Sequence, residues 1–449
     1  MQNRILVGAY EVDITPPLGI DLAGYFNIRK ADKILDNLYA KTVVLKTETN
    51  EVAISSCDLC VIPRELVLKI RELASIWSNI PKDNIMISAT HTHTGPVTTG
   101  LLAGEIDQTY IDVMARRVAT SISMAKKNLK EAIVKVGKGK EDSIVFNRRY
   151  LMKDGSVITN PGKLNPDIVK PAGPIDPEVL VILIESKIGE PMALIVNYSN
   201  HVDTIGGTVV SADYPGIMCK ILKRFLGDIP VLFLNGAEGD INHIDVGNPS
   251  PQGGYKEAER IGKILAGEVI KTISGMKTLD IDLKIKSSLL KIPIRKPSQE
   301  EIERAKELLS ETIEGESSKE LTAFDLAKGS IEIEKVYAEE ILLISQLEEN
   351  FEELEIQGIS LGNLCLLGIP GEPFTEIGLE IKQKSPFPYT GIVSLSNGYS
   401  GYIPTEKAFD EGGYETRLAR SSKLDKKVGK IIIEEGVRLI QNLNLFLSV

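Results

Sequence analysis

The stretch Ser88–Pro96 limits the fold more than any other part of the chain. It reads Ser-Ala-Thr-His-Thr-His-Thr-Gly-Pro, follows the apolar run Asn84-Ile85-Met86-Ile87, and ends in a Gly-Pro pair that stops regular structure. A buried strand therefore gives way to a loop at His91 and His93. Side chains two apart on an extended backbone point the same way, so both rings reach one volume roughly 7 Å across. Two converging imidazoles suit a divalent metal, zinc by default, although an isolated His-x-His more often bonds to a loop backbone. The remaining histidines tip the balance. The chain has only four, His91, His93, His201 and His243, each in a short polar stretch after an apolar, strand-like run.

Taken in order, Val43–Lys46 and Val52–Ser56 read as strands, and Leu66, Ile70, Leu73 and Trp77 give a helix over 64–78. The histidine strand comes next. Strand, helix, strand order predicts an α/β fold of mixed, largely parallel sheets flanked by helices, with the site at the carboxyl ends of strands. Three later runs repeat the pattern. Ala193–Tyr198 ends at His201, Val231–Leu234 leads to Asp240, Asn242 and His243, and Leu364–Gly368 delivers Pro370-Gly371-Glu372. Glu372 alone reads as a helix-start charge or a metal ligand, and Asp213 as the cap of a helix beginning near Ile217. Residues 297–350 turn to charged helix, a solvated insertion within a single domain spanning 1–449.

Composition removes several classes of function. A formal charge of -10 without lysine clusters and interleaved aromatics argues against nucleic acid as a partner. No apolar run approaches the roughly 20 residues of an integral membrane segment, and no long apolar signal core follows Met1, so a cytoplasmic protein is expected. Cys57 and Cys60 have metal spacing but no second cysteine pair, which makes them buried structural thiols. Assembly into a homo-oligomer stays open.

Five stretches, Thr90–Pro96, Asn200-His201, Gly239-Asp240, Pro370-Gly371-Glu372 and Tyr399–Tyr414, resemble in order and spacing the catalytic domain of the neutral, non-lysosomal ceramidases. Asp13-Ile14-Thr15-x-Pro17 and Gly24-Tyr25 are similar to that family's opening. The likeness covers nearly the whole chain and implies a short member without the C-terminal immunoglobulin-like domain. It implies one Zn2+ held by His91, His201, Glu372 and Tyr402. It places His93 beside the metal or facing the reacting carbonyl, Tyr414 near the nucleophile as an oxyanion donor, and Arg148 as the arginine of an Asn-Arg motif.

One departure changes the expected chemistry. The family's serine, two residues after Gly-Asp, is Asn242 here, followed by His243 in place of proline. An amide cannot serve as that nucleophile. Zinc-activated water is then expected to cleave the C–N amide bond of a small-molecule N-acyl substrate, with His93 or His243 taking the proton and Asn242 donating to the oxyanion. Without an export signal or a lipid-facing amphipathic segment, a soluble amide is favoured over ceramide. The alternatives are a zinc ester or lactone hydrolase, and an inactive, metal-stabilised ligand-binding protein.

Overall fold

The computed structural model describes residues 4–100, 103–311 and 330–444. The first sheet uses Leu6–Asp13 (β1), Tyr39–Lys46 (β2), Glu51–Cys57 (β3), Ile85–Ala89 (β4), Lys130–Lys140 (β5), Glu178–Ser186 (β6), Pro191–Tyr198 (β7) and Val231–Asn235 (β8). They lie in the order β8-β7-β6-β5-β1-β2-β3-β4, and Lys277–Thr278 adds a short strand beside β5. A second sheet orders Leu283–Pro293 (β9), Phe351–Leu361 (β10), Leu364–Gly368 (β11) and Tyr389–Val393 (β12) in sequence.

Four layers result. Helices Arg64–Ser78 (α1), Gln108–Lys127 (α2), Asp213–Leu226 (α3) and Tyr255–Ile273 (α4) cover the outer face of the first sheet. The inner face packs on the second sheet, whose far side is covered by Thr375–Lys384 (α7) and Val428–Asn444 (α8). The alternation within β6 shows why its apolar run is unbroken. Val179, Val181 and Leu183 pack in the cluster shared with α3 and α4, while Leu180, Ile182 and Ile184 join the layer between the sheets. Arg71 on α1 spans the edge of the sandwich. Its Nη1 donates to both carboxylate oxygens of Glu355 on β10, at 3.0 and 2.8 Å.

The fold is mixed α/β, as the sequence predicts, but its sheets are not largely parallel. Turns too short for a crossover join β2 to β3, β6 to β7 and β10 to β11, which makes those pairs antiparallel. The parallel pairs between these strands are β3 with β4, β7 with β8, and β11 with β12. Each of these pairs encloses one helix, α1, α3 or α7. All the metal-type residues leave the carboxyl ends of these three βαβ units.

Two further expectations need correction. Helix α3 begins at Asp213 rather than near Ile217, with Asp213 at φ 54°. The Asp213 carboxylate accepts from its neighbour Tyr214 N at 2.6 Å, and from Thr204 N and Ile205 N at 2.8 and 2.7 Å, so it also ties down the loop after His201. The charged insertion is not wholly solvated. Its helices are Gln299–Ser310 (α5) and Ile331–Ser345 (α6), while 312–329 of the 297–350 span lie outside the described residues. Ile333 and Tyr337 of α6 are buried against Phe26 and Ala419, and Arg417 and Arg420 pair with Glu334 and Glu340. Among the described residues, no helix is long and apolar enough to cross a membrane.

Candidate metal centre

The strand β4 ends at Ala89, and the chain then turns sharply. Thr90 N and His91 N donate to the carbonyls of Cys57 and Leu59, both at 2.9 Å, which fixes this loop against the end of β3. His91 has φ 78°, the left-handed region. His91 and His93 do meet in one volume, but through this turn and not through the extended alternation expected. Strain of this kind costs about 1–3 kcal/mol and persists where the surroundings hold it.

Three βαβ units now deliver their side chains to one point. His91 Nε2 lies 3.2 Å from His201 Nε2, 3.3 Å from His93 Nε2 and 3.4 Å from Glu372 Oε2. His91 Nδ1 donates to the Cys60 carbonyl at 3.0 Å, which leaves the Nε2 lone pair facing the cluster. The His201 ring donates to the Glu238 carbonyl. Tyr399 Oη donates to Glu372 Oε1 at 2.8 Å, and Glu372 Oε2 is buried without a hydrogen-bond partner. Tyr402 stands beside them because Glu372 and Tyr402 are register partners in a short parallel bridge.

Electrostatics favour a cation there. Burial opposes charge on His91, yet Glu372 and Cys60 outweigh it and hold its pKa well above the ordinary value. Burial, followed by His91, drives His201 and His93 well below theirs. Glu372 resists burial because His91 and Arg148 keep it ionised. Burial and the Glu372 charge push the adjacent Glu238 carboxyl far up, so it keeps its proton and accepts from Ser394 Oγ at 3.1 Å. A carboxylate with an orphaned oxygen beside two imidazoles fits a divalent metal held by His91, His201 and Glu372, whose ligand atoms all lie within 4.8 Å of one another; the cation would take the place of the proton that Glu372 favours on His91. Cys60, His91 and His93 form a second group of the same compactness.

The other expected residues surround this point. Arg148 is buried, donates to Glu415 Oε1 and to the Gly239 carbonyl at 2.8 Å each, and brings Nη1 to 3.4 Å from His201 Nδ1. The Tyr414 and Tyr402 rings meet edge to face at 5.4 Å. Asn242 donates to Asn160 Oδ1 at 2.9 Å and accepts from Ile244 N at 3.0 Å, so most of its amide holds loops together. His243 Nε2 donates to the Gln252 carbonyl at 2.8 Å, which leaves Nδ1 unprotonated, buried and without a hydrogen-bond partner. Asp240, singled out with them, is structural: it accepts from Thr375 and from Asn147. A cavity of about 540 Å3 opens on the cluster, with His93, His201, Arg148, Asn242, Tyr402 and Tyr414 in its wall.

Glu238 and Asp203 were not singled out in the sequence, and Tyr399 was named only as the first residue of the Tyr399–Tyr414 stretch, with no role. Only Glu238 had a local signal, its place between Gly236 and Gly239 directly after β8.

Residues 5–222 match the family model described as neutral/alkaline non-lysosomal ceramidase, N-terminal. That range includes His91, His93, Arg148 and His201. A neutral ceramidase of Drosophila melanogaster is 30% identical over 169 residues, which cover 35% of this chain and 23% of that protein. Neutral ceramidase A of Dictyostelium discoideum is 21% identical over 461 residues, covering 83% of this chain and 63% of that protein. The chain thus spans less than two thirds of the length of these relatives. The crystal structure of neutral ceramidase from Pseudomonas aeruginosa shares the fold, with a TM-score of 0.77 at 17% identity over 99% of this chain and 75% of that one.

Proposed function

We propose that this chain, a relative of the neutral ceramidases, is a zinc-dependent hydrolase that cleaves the C–N amide bond of a compact N-acyl substrate. The observation that carries this reading is the convergence of His91, His201 and Glu372 in one compact group, with His201 also in the wall of the cavity. Tyr402 is the fourth ligand in this proposal. Zinc held there supplies a Lewis acid that polarises a carbonyl and lowers the pKa of water.

The remaining chemistry belongs to the chain. His93 Nε2 faces the same point as the ligands, takes a proton from the attacking water and returns it to the leaving nitrogen, so that amide and water give acid and amine. Arg148, held by Glu415 and the Gly239 carbonyl, keeps a fixed positive charge beside His201, where it steadies charge growing on the carbonyl oxygen. Burial pushes the Tyr414 hydroxyl far up, so it stays a donor to that oxygen. Asn242 has one amide hydrogen left for the same oxygen. His243 holds an unprotonated Nδ1 in the outer wall, where it completes the polar lining.

Asp203, Asn160, Lys163 and Gln252 line the cavity together with Phe26, Ile244 and Val246, so it offers polar groups for an amide and apolar surface for an acyl chain. The test is amine release by the zinc-loaded protein from short N-acyl amines, a short-chain ceramide and matched esters. Release from the amides, abolished in His201→Ala, supports the reading. Cleavage of esters alone selects the ester hydrolase, and turnover of none overturns hydrolysis.

A further inference from the structure

The His93 ring is held by a set of residues outside the metal-type cluster. Gly24, at φ 97°, packs so closely that a β-carbon there would lie 2.6 Å from ring atoms Cγ and Nδ1. Tyr25 meets the ring edge-on at 5.9 Å between centroids. The Arg29 guanidinium lies 3.8 Å from the Tyr25 ring centre, and its Nη2 donates to the His93 carbonyl at 2.6 Å. His93 N donates to the Val202 carbonyl at 3.1 Å, which brings the next residue, Asp203, alongside.

The side-chain nitrogen away from the cluster is what this clamp leaves open. His93 Nδ1 is buried with no hydrogen-bond partner. Asp203 Oδ1 lies 3.7 Å from it and accepts from Tyr25 Oη at 2.7 Å. The 3.7 Å gap exceeds a hydrogen bond by roughly half an ångström. Asp203 is partly open to the cavity, with 34% of its side chain exposed, so a ligand filling that space can press it onto the ring.

We propose that Asp203, anchored by the Tyr25 hydroxyl, is the positioning residue of His93: it accepts the Nδ1 proton and so keeps the Nε2 lone pair turned toward the His91–His201–Glu372 cluster. A carboxylate can only accept at Nδ1, and a neutral imidazole protonated at Nδ1 must be unprotonated at Nε2. This is the state in which Nε2 takes a proton from water. The consequence for turnover rests on the hydrolase reading, but the tautomer does not.

The chain has four histidines, so histidine-labelled, zinc-loaded protein gives a small set of long-range 1H–15N ring correlations. His93→Gln identifies the His93 signals by their loss. The expected result is a proton on His93 Nδ1 in the wild type. Asp203→Asn, which can donate to Nδ1, moves the proton to Nε2; Asp203→Ala gives a mixture of tautomers, and zinc content is unchanged in both. Tyr25→Phe keeps the carboxylate but loosens it, and gives a partial change.

For any N-acyl amine the wild type cleaves, Asp203→Asn lowers kcat by about a thousandfold or more, with KM within about threefold. A wild-type His93 protonated at Nε2, or one bound to zinc through Nε2, overturns the proposal. So does an unaltered tautomer in Asp203→Asn. If no amide is cleaved, the hydrolase reading fails while the tautomer result still decides this one.

Discussion

Tyr399 donates to one oxygen of Glu372 at 2.8 Å and leaves the other, buried and without a hydrogen-bond partner, 3.4 Å from His91 Nε2. The phenol fixes the carboxylate's rotation, so the free oxygen faces the imidazoles. Partners of this kind typically account for 10–100-fold in metal affinity. Tyr399→Phe is therefore expected to keep the fold and weaken zinc binding by about that factor, as read by competition with a chromogenic chelator.

Gly24→Ala tests the packing on His93 separately from the ligands. An alanine at φ 97° is strained, and its β-carbon would lie 2.6 Å from the His93 ring. A ring displaced by about 1 Å is expected to lose about a hundredfold in kcat. Zinc content measured on the same samples should stay at the wild-type level.

His243 gives a pH prediction. Burial lowers its pKa below the ordinary 6.5, against the opposing pull of Asp203 and the Gln252 carbonyl. Between the lowered value and 6.5 the unfolded chain binds more protons than the folded one, so stability rises with pH there and is lost as pH falls below 6.5. His93 and His201 act in the same direction and His91 against it. Urea midpoints of zinc-free protein at about pH 5 and pH 7.5 should show a smaller acid loss in His243→Gln than in the wild type.

The Arg71–Glu355 pair ties α1 to the second sheet, and Arg71 Nε also donates to the Ile85 carbonyl at the start of β4 at 2.8 Å. Glu355→Ala leaves the buried guanidinium without its carboxylate. The expected cost is about 3–5 kcal/mol in chemical unfolding. Zinc stoichiometry of the folded fraction should be unchanged, because the pair does not touch the ligands.

The candidate ligand residues were legible because each follows a short apolar run, and a strand's carboxyl end is where a βαβ unit presents its loop. His91, His201 and Glu372 come together on that account. The antiparallel majority was harder to see, since the apolar runs of β6 and β7 look alike whichever way the strands run. The left-handed turn at His91 depends on carbonyls of Cys57 and Leu59, more than thirty residues away. Nothing in the sequence around Asp203 marks it, because its relation to Tyr25 spans 178 residues. Gly24 carried no sign that a histidine ring would occupy its missing side chain.

A zinc site made by His91, His201 and Glu372 is tested most directly by metal content. Protein purified without added metal is analysed by mass spectrometry beside His201→Ala and Glu372→Ala. About one zinc per chain in the wild type, with clear loss in both variants and retained folding, is the result expected of this donor set. A wild type that holds no metal and takes up none on titration would contradict it.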